Sequence, residues 1–329
     1  MEGEWAGIIA LKHFALKKTT FTGRFLRFYA NFKLLILNFE IFVVPLQPVM
    51  KAISLHSVVP VRSEARESAE QCTQMLFGEL CTILDSQPSE INPQLPQWYR
   101  IRLDTDGQEG WADAKMISPM KSEEYASYSA DYAHAAVVVM PMAYAVSENN
   151  GQTIPLTAGT RLTKYDETGR FEVLGVGFRI DPSMVARHPL ELNPQNLLQA
   201  VRFFLNVPYL WGGKNAMGLD CSGFTQVVMS LFGRQLLRNA SEQVTQGQPV
   251  PDLQHAQAGD LVFFDHNDGR ISHVGIILHT ASADLSIIHC SGRVKVERLD
   301  ETGIFSVERA DKDHPEGLYT HHLVAIRRM

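Results

Sequence analysis

One cysteine and two histidines combine the residue types and positions that nucleophilic catalysis requires. Cys221 follows Asp220 at the start of a predicted helix, where the helix dipole and unpaired N–H groups favour the reactive thiolate. His273 and His289 lie on two predicted strands, so their side chains can face the same side of an antiparallel sheet. His273 would then accept the thiol proton as general base, and His289 would orient it through its other ring nitrogen.

A metal hydrolase is the main alternative for these histidines. His266 could join His273 and His289 as a third ligand, but the sequence contains no H-E-x-x-H motif and no C-x-x-C pair. Insensitivity to a chelator would dismiss this alternative. The other three cysteines are typical of small buried hydrophobic residues, and we expect neither a metal nor another cofactor.

The candidate residues fall in a region where helices precede strands. Pro194 opens a predicted helix that ends before Pro208, and a second helix runs from Asp220 to Gly233 with an apolar face. Predicted strands follow at residues 260–265, 270–279, 286–289, 293–299 and 322–327. This order is typical of an α+β domain, which we place at residues 189–329.

The chain upstream of that domain consists mainly of short strands separated by turns. Residues 53–118 and 137–179 have this pattern, which predicts two small β-barrels. Residues 74–84 are expected to form one continuous strand, and residues 121–135 a linking helix without Gly or Pro. We therefore divide the chain into a segment at 1–49, a first barrel at 50–119, a linking helix with a second barrel at 120–188, and the α+β domain.

Composition excludes several classes of protein. The 329 residues are 45% hydrophobic and 20% charged, which is typical of a folded globular protein and not of a disordered, collagen-like or coiled-coil chain. The net charge of -6 provides no basic surface for nucleic acid or an anionic membrane. We expect a monomer without a nucleic-acid partner.

The first 49 residues differ from the rest. They hold six Lys and Arg against three Glu, a net +3, whereas the remainder carries 24 basic and 33 acidic residues, a net -9. Their most apolar stretch, residues 34–46, has 13 residues, but a membrane helix needs about 20. We therefore expect no stable membrane insertion. If translation starts at Met50 the protein is expected in the cytoplasm; a periplasmic or cell-envelope location is the alternative.

Five short motifs follow one another in the second half of the chain. They are Y-L-W-G-G at 209–213, G-L-D-C-S-G-F at 218–224, G-D-L-V-F-F at 259–264, S-H-V-G at 272–275 and I-H-C-S-G at 288–292. This pattern resembles the NlpC/P60 family of cysteine peptidases. Upstream, V-P-V-R at 59–62, L-F-G-E at 76–79 and the run at 98–113 resemble a bacterial SH3 domain, and residues 137–179 resemble a second copy.

The NlpC/P60 resemblance implies a papain-like catalytic domain. It assigns the nucleophile to Cys221, the general base to His273 and the orienting group to His289, and it places Tyr209 beside the nucleophile. With the two SH3-like modules, the chain is similar to the γ-D-glutamyl-L-diamino acid endopeptidases. Those enzymes cleave after D-Glu in murein peptides that begin with a free L-Ala, so murein tri- to pentapeptides or peptidoglycan stems are the expected substrates.

The same resemblance implies a set of substrate contacts. Asp220 and Glu79 would bind the terminal ammonium of L-Ala. Ser222 and Ser241 would contact the D-Glu carboxylate, and Trp211 would shape the pocket. Which diamino acid follows D-Glu is left open by the sequence.

Two positions depart from the pattern of that narrower group. Gln108 stands where an aromatic residue is expected, and Asn239 replaces an expected Asp. Both departures concern substrate contacts and leave the reaction class unchanged. The alternatives are a general endopeptidase acting on intact wall, a papain-like acyltransferase, and a wall-binding protein without enzymatic activity.

Overall fold

The computed structural model describes residues 32–37, 40–45, 50–279 and 285–329. The chain divides into two compact units, Met1–Val49 and Met50–Met329. In the first unit, strands β1 (Phe32–Leu37) and β2 (Glu40–Pro45) pair in antiparallel fashion. The rest of that segment, including the end of the apolar stretch considered above, lies outside the described residues.

The second unit begins with a seven-stranded antiparallel sheet, here called the first sheet. Its strands are β3 (Met50–Ser54), β4 (Val58–Arg62), β5 (Gln71–Leu76), β6 (Leu80–Pro88), β7 (Pro96–Leu103), β8 (Glu109–Asp113) and β9 (Ile117–Met120). Their spatial order is β5-β4-β8-β7-β6-β3-β9. Val59, Val61 and Ile101 are fully buried in its core, as the alternation of apolar and polar residues predicts.

The expectation of one strand over residues 74–84 is wrong. The chain turns between β5 and β6, where Gly78 adopts a φ of 78°, a backbone conformation that glycine reaches without steric cost. The turn is stabilised by Ser54, whose backbone oxygen accepts a hydrogen bond from the Gly78 N–H. The apolar pattern continues through the turn, so periodicity alone did not reveal it.

Helix α1 (Ser122–Ala133) forms where the linking helix was predicted. Seven short strands follow it, namely β10 (Ala136–Val138), β11 (Met142–Ser147), β12 (Thr153–Thr157), β13 (Arg161–Leu162), β14 (Arg170–Val173), β15 (Val176–Ile180) and β16 (Val185–Ala186). They form a three-stranded sheet, β13-β10-β16, and a four-stranded sheet, β12-β11-β15-β14. Tyr128 of α1 packs into the same core as Phe171 and Phe178. The likeness of this region to a second SH3 domain stays a prediction.

The C-terminal region has the predicted order of helices and strands. Its helices are α2 (Pro194–Val201), α3 (Cys221–Leu231) and the short α4 (Ala240–Gln243). Asn193 caps α2 by accepting a hydrogen bond from the Asn196 N–H at 2.9 Å, and Asp220 caps α3 in the same way. Among residues 50–279 and 285–329, no helix is both long and apolar enough to cross a bilayer.

The two-residue strands β17 (Lys214–Asn215) and β18 (Gly218–Leu219) pair in a small sheet of their own. The longer strands form a closed sheet, here called the C-terminal barrel, with β19 (Gln248–Val250) added to it beside β25 (Leu318–Arg328). The barrel strands are β20 (Leu261–Asp265), β21 (His273–His279), β22 (Leu285–Ser291), β23 (Arg293–Leu299), β24 (Gly303–Ser306) and β25. The main sheet has the order β19-β25-β20-β21-β22-β23-β24, and β24 also pairs with β25. Helix α3 packs on it through Phe224 and Val228, both fully buried. The short strands β19 and β24 were not predicted.

Candidate active site

Cys221 is the first residue of α3. The Asp220 carboxylate accepts a hydrogen bond from the Gly223 N–H at 2.7 Å, which fixes the start of the helix. The backbone N–H of Val274 donates a hydrogen bond to the Cys221 sulfur. Because Val274 follows His273, the thiol lies against the strand that carries the predicted base. Only 8% of Cys221 is exposed.

The start of α3 acts on the pKa of the Cys221 thiol in the expected direction, but burial acts against it. Burial, followed by the negative charge of Asp220, raises the pKa of the Cys221 thiol to about 11. The N–H groups of Val274 and Ser222 and the charge of Arg238 lower it by less. Desolvation therefore outweighs the helix terminus, and the thiol is protonated at neutral pH.

His273 and His289 lie on neighbouring antiparallel strands, as predicted. In the pairing of β21 with β22, Gly275 stands opposite His289, so His289 reaches His273 diagonally. A Cβ at Gly275 would lie 2.9 Å from the Cβ of His289, so glycine leaves the space that this approach needs. The Nε2 atom of His273 lies 2.8 Å from Nδ1 of His289.

Both rings are neutral in the folded protein. Burial, with a smaller contribution from the neighbouring His289, lowers the pKa of His273 well below its usual value. Burial also lowers the pKa of His289, although the hydrogen bond from His289 to Glu297 acts in the opposite direction. The resting site therefore pairs a neutral thiol with a neutral imidazole.

Two further residues contact this pair and were not identified from the sequence. The Oε2 atom of Glu297, on β23, lies 2.8 Å from Nε2 of His289. The ring of His321, on β25, stacks on His273 with 4.2 Å between ring centroids. To identify either residue from the sequence, one would have to know how strands that are distant in the chain pair with each other. The two-residue spacing of Lys295 and Glu297 shows only that they share a face of β23.

Asp220 and Ser222 lie on either side of Cys221 in the chain, where they form a buried network with Arg238. Arg238 donates from Nη2 to Asp220 Oδ2 at 2.5 Å and from Nη1 to Asp220 Oδ1 at 3.1 Å. It also donates to the Ser222 hydroxyl at 2.8 Å and to Thr73 of the first sheet at 2.9 Å. Arg238 thus neutralises the carboxylate that was expected to bind a substrate ammonium.

Glu79 is placed differently from the expectation. Its Oε1 atom forms a buried ion pair with Lys214 Nζ at 2.8 Å, and its Oε2 atom accepts from the Leu76 N–H at 2.9 Å. The pair lines a cavity of about 480 Å³ that borders positions 226, 227 and 230 of α3. At 100° per residue these three positions lie on the side of α3 that faces away from Cys221.

The other three residues predicted near the substrate differ in how far they are exposed. Tyr209 is half-buried, and burial followed by the proximity of Cys221 raises the pKa of its hydroxyl. Trp211 is 59% exposed, and its backbone oxygen accepts a hydrogen bond from Gln71 of the first sheet at 3.0 Å. Ser241 lies exposed on α4. Tyr209 thus packs against the core cluster that includes Cys221, and the side chain of Trp211 is open to solvent.

The two departures from the family pattern contact each other. Asn239 Nδ2 donates to Gln108 Oε1 at 3.3 Å, which joins the first sheet to the C-terminal region through neutral amides. Within the described parts of the chain, no group of three or more His, Cys, Asp or Glu side chains is arranged to hold a metal ion.

Two family models match this chain, one in the C-terminal region and one in the first sheet. The model of the NlpC/P60 family matches residues 206–308, and that of the bacterial SH3 domain matches residues 57–118. A gamma-D-glutamyl-L-lysine dipeptidyl-peptidase of Bacillus subtilis is 30% identical over 65% of this chain and 74% of its own length. A Bacillus cereus protein of the same name is 26% identical, over 65% of this chain and 68% of its own length.

Solved structures show the same fold. A crystal structure of an NlpC/P60 family protein from Bacillus cereus superimposes with a TM-score of 0.64 at 18% identity, covering 84% of this chain and 99% of that one. The motif order, the family model and the extent of the Bacillus subtilis match agree, and the chain therefore belongs to the NlpC/P60 family.

Proposed function

We propose that this protein is a cysteine peptidase in which Cys221 is the nucleophile and His273 the general base. His273 Nδ1 takes the thiol proton as the sulfur bonds to the substrate carbonyl carbon. The imidazolium then returns that proton to the leaving amine, which departs as the C–N bond breaks and a thioester remains. Water, deprotonated by His273, hydrolyses the thioester and restores the thiol.

The observation that carries this proposal is the buried contact between Cys221, the strand bearing His273, and His289. A neutral thiol beside a neutral base avoids the cost of burying an ion pair before substrate binds. The proton transfer then coincides with bond formation. We also propose that the C-terminal region is a papain-like core, since the cysteine begins a helix packed on the sheet that carries the histidines.

The proposed substrate is the γ-D-Glu to L-diamino acid bond of murein peptides. The names of the Bacillus subtilis and Bacillus cereus relatives support this choice. Incubation with L-Ala-γ-D-Glu-L-Lys and its diaminopimelate counterpart, read by mass spectrometry, tests it. We expect release of the dipeptide L-Ala-γ-D-Glu; cleavage at another bond, or no cleavage of either peptide, would contradict the proposal.

A second candidate is a peptidase that acts on stems whose L-Ala amine is blocked, as in intact wall. It is favoured by the pairing of Asp220 with Arg238 and of Glu79 with Lys214, which neutralises both carboxylates expected to bind a free ammonium. The ratio of kcat/KM for the free-amine tripeptide and its N-acetyl form separates the two candidates. Loss of a desolvated charge pair costs about 2 to 5 kcal/mol, so preference for the free amine of at least about 30-fold supports the first candidate. A ratio near one supports the second.

A further inference from the structure

Glu297 ends a chain of hydrogen bonds that begins at His273. His273 Nε2 contacts His289 Nδ1 at 2.8 Å, and His289 Nε2 contacts Glu297 Oε2 at 2.8 Å. The side chain of Glu297 is 7% exposed, and that of His289 is fully buried. Strand register produces this alignment, because Ile287 stands opposite Glu297 and His289 lies two residues further along the same face.

Glu297 is ionised and can only accept hydrogen bonds. Burial alone would raise its pKa, but the hydrogen bond from His289 and the Lys295 ammonium lower it to about 2. Lys295 Nζ lies 3.1 Å from the other carboxylate oxygen, Oε1. The carboxylate therefore presents a lone pair to His289 throughout the physiological pH range.

We propose that Glu297 is a positioning residue that sets the tautomer of both histidines for the proposed reaction. An accepting carboxylate requires the proton of His289 on Nε2, which leaves a lone pair on His289 Nδ1. His273 must then carry its own proton on Nε2. The lone pair on His273 Nδ1 remains free for the thiol proton, as the mechanism proposed above requires.

The same chain stabilises the charge that develops during the reaction. When His273 Nδ1 takes the proton from Cys221, the imidazolium retains its Nε2–H bond to His289. Glu297 does not take up the proton; its negative charge acts through His289 on the new positive charge. Without Glu297, the buried imidazolium would lose the carboxylate that is hydrogen-bonded to its neighbour His289.

Glu297→Gln tests this proposal because Lys295 determines the orientation of the new glutamine amide. The Lys295 ammonium retains the amide oxygen at the place of Oε1, so the amide NH2 points at His289. His289 must then accept at Nε2 and carry its proton on Nδ1, and His273 must carry its proton on Nδ1. A protonated Nδ1 cannot take the thiol proton.

We expect Glu297→Gln to lower kcat by about 10²- to 10⁴-fold, in the range known for a base held in the wrong tautomer, with KM within about threefold of the wild type. Glu308→Gln is the matched control, since it makes the same change at an exposed carboxylate that pairs with Arg293 and Lys295. Its kcat should remain within about twofold of the wild-type value. Adding Lys295→Met to Glu297→Gln frees the amide to turn its oxygen to His289, so the double variant should recover about tenfold or more over the single one.

Nitrogen-15 NMR of histidine-labelled wild-type protein tests the tautomers without any variant. We expect His273 and His289 both to carry their protons on Nε2; a proton on Nδ1 of either would overturn the inference. Wild-type kcat in a folded Glu297→Gln protein, or no recovery in the double variant, would also overturn it. If Cys221→Ala is inactive while Glu297→Gln is fully active, only this inference fails; if Cys221→Ala keeps its activity, the proposed function fails.

Discussion

His273 and His289 occupy one hydrogen-bonded chain, but the proposed roles demand different chemistry of each. His273 must gain and lose a proton, whereas His289 needs one acceptor towards His273 and one donor towards Glu297. An asparagine amide offers both an acceptor and a donor. An amide at position 273 has no basic nitrogen.

We therefore expect His289→Asn to keep far more activity than His273→Asn. Loss of a general base costs about 10²- to 10⁴-fold in kcat, and His273→Asn should fall in that range. His289→Asn should lose at least about tenfold less, measured under the same saturating conditions. Equal losses, or the reverse order, would mean that the roles are assigned wrongly.

The buried histidines also predict how stability depends on pH. Burial lowers the pKa of His273, His289 and His321, for His321 to about 3, whereas an unfolded histidine titrates near 6.5. Below about pH 6.5 the unfolded state thus binds more protons than the folded state. The free energy of unfolding should fall as the pH drops from about 6.5 towards the folded pKa values.

His321→Gln removes one of these groups, so its free energy of unfolding should decrease less between pH 7 and pH 4.5, as measured by urea denaturation. Thr320, which contacts His321 Nδ1 through its hydroxyl at 2.8 Å, provides a control at Thr320→Val that keeps all three histidines. The control should retain the wild-type pH dependence. A wild-type protein whose stability is constant over this pH range would contradict the reasoning.

At the scale of elements, the start of α3 depends on a buried ion pair. Asp220 caps the helix and receives two hydrogen bonds from Arg238, which also bonds to Thr73 of the first sheet. Removing one partner of a buried pair costs about 3 to 5 kcal/mol, because the other charge is left without compensation. Arg238 thus connects helix α3 to the first sheet.

Asp220→Asn should therefore lower the free energy of unfolding by about 3 to 5 kcal/mol, although asparagine is itself a good cap. Thr73→Val is the control, since it removes a single neutral partner of Arg238. It should cost about 0.5 to 1.5 kcal/mol in the same urea titration. Similar small losses in both variants would show that the ion pair contributes little.

Sequence patterns predicted the elements that local chemistry determines. Helices α2 and α3 have capping residues directly before them, and His273 and His289 follow from strand alternation. Residues 74–84 were assigned wrongly because Gly78 interrupts an otherwise continuous apolar run. Local patterns identify where an element begins and which face is apolar, but they miss a turn inside a hydrophobic segment.

Contacts between distant strands and modules were not predictable in this way. Glu297 and His321 join the site through the register of β23 and β25, which no local pattern specifies. The partners of Asp220 and Glu79 are likewise distant in sequence, at Arg238 and Lys214. Family resemblance suggested what those carboxylates would bind, and the fold supplied other partners.

At the scale of the whole molecule, the charge division sets residues 1–49 apart from the rest. That segment carries a net charge of +3, the remainder carries -9, and Met1–Val49 is a compact unit of its own. We therefore expect that the peptidase does not need residues 1–49. A chain beginning at Met50 should keep its melting temperature and its kcat/KM. A drop of several degrees in a thermal scan would show that the segment stabilises the fold.

Mass spectrometry of the protein during turnover of L-Ala-γ-D-Glu-L-Lys, quenched in acid, tests most directly whether Cys221 is the nucleophile. A thioester forms by loss of lysine, so we expect an added L-Ala-γ-D-Glu acyl group on the peptide that contains Cys221. Cys221→Ala should carry no such group, and its turnover should fall on the order of a millionfold, as for other removed nucleophiles. Substantial turnover by Cys221→Ala, or an acyl group on another residue, would contradict the assignment of Cys221 as the nucleophile.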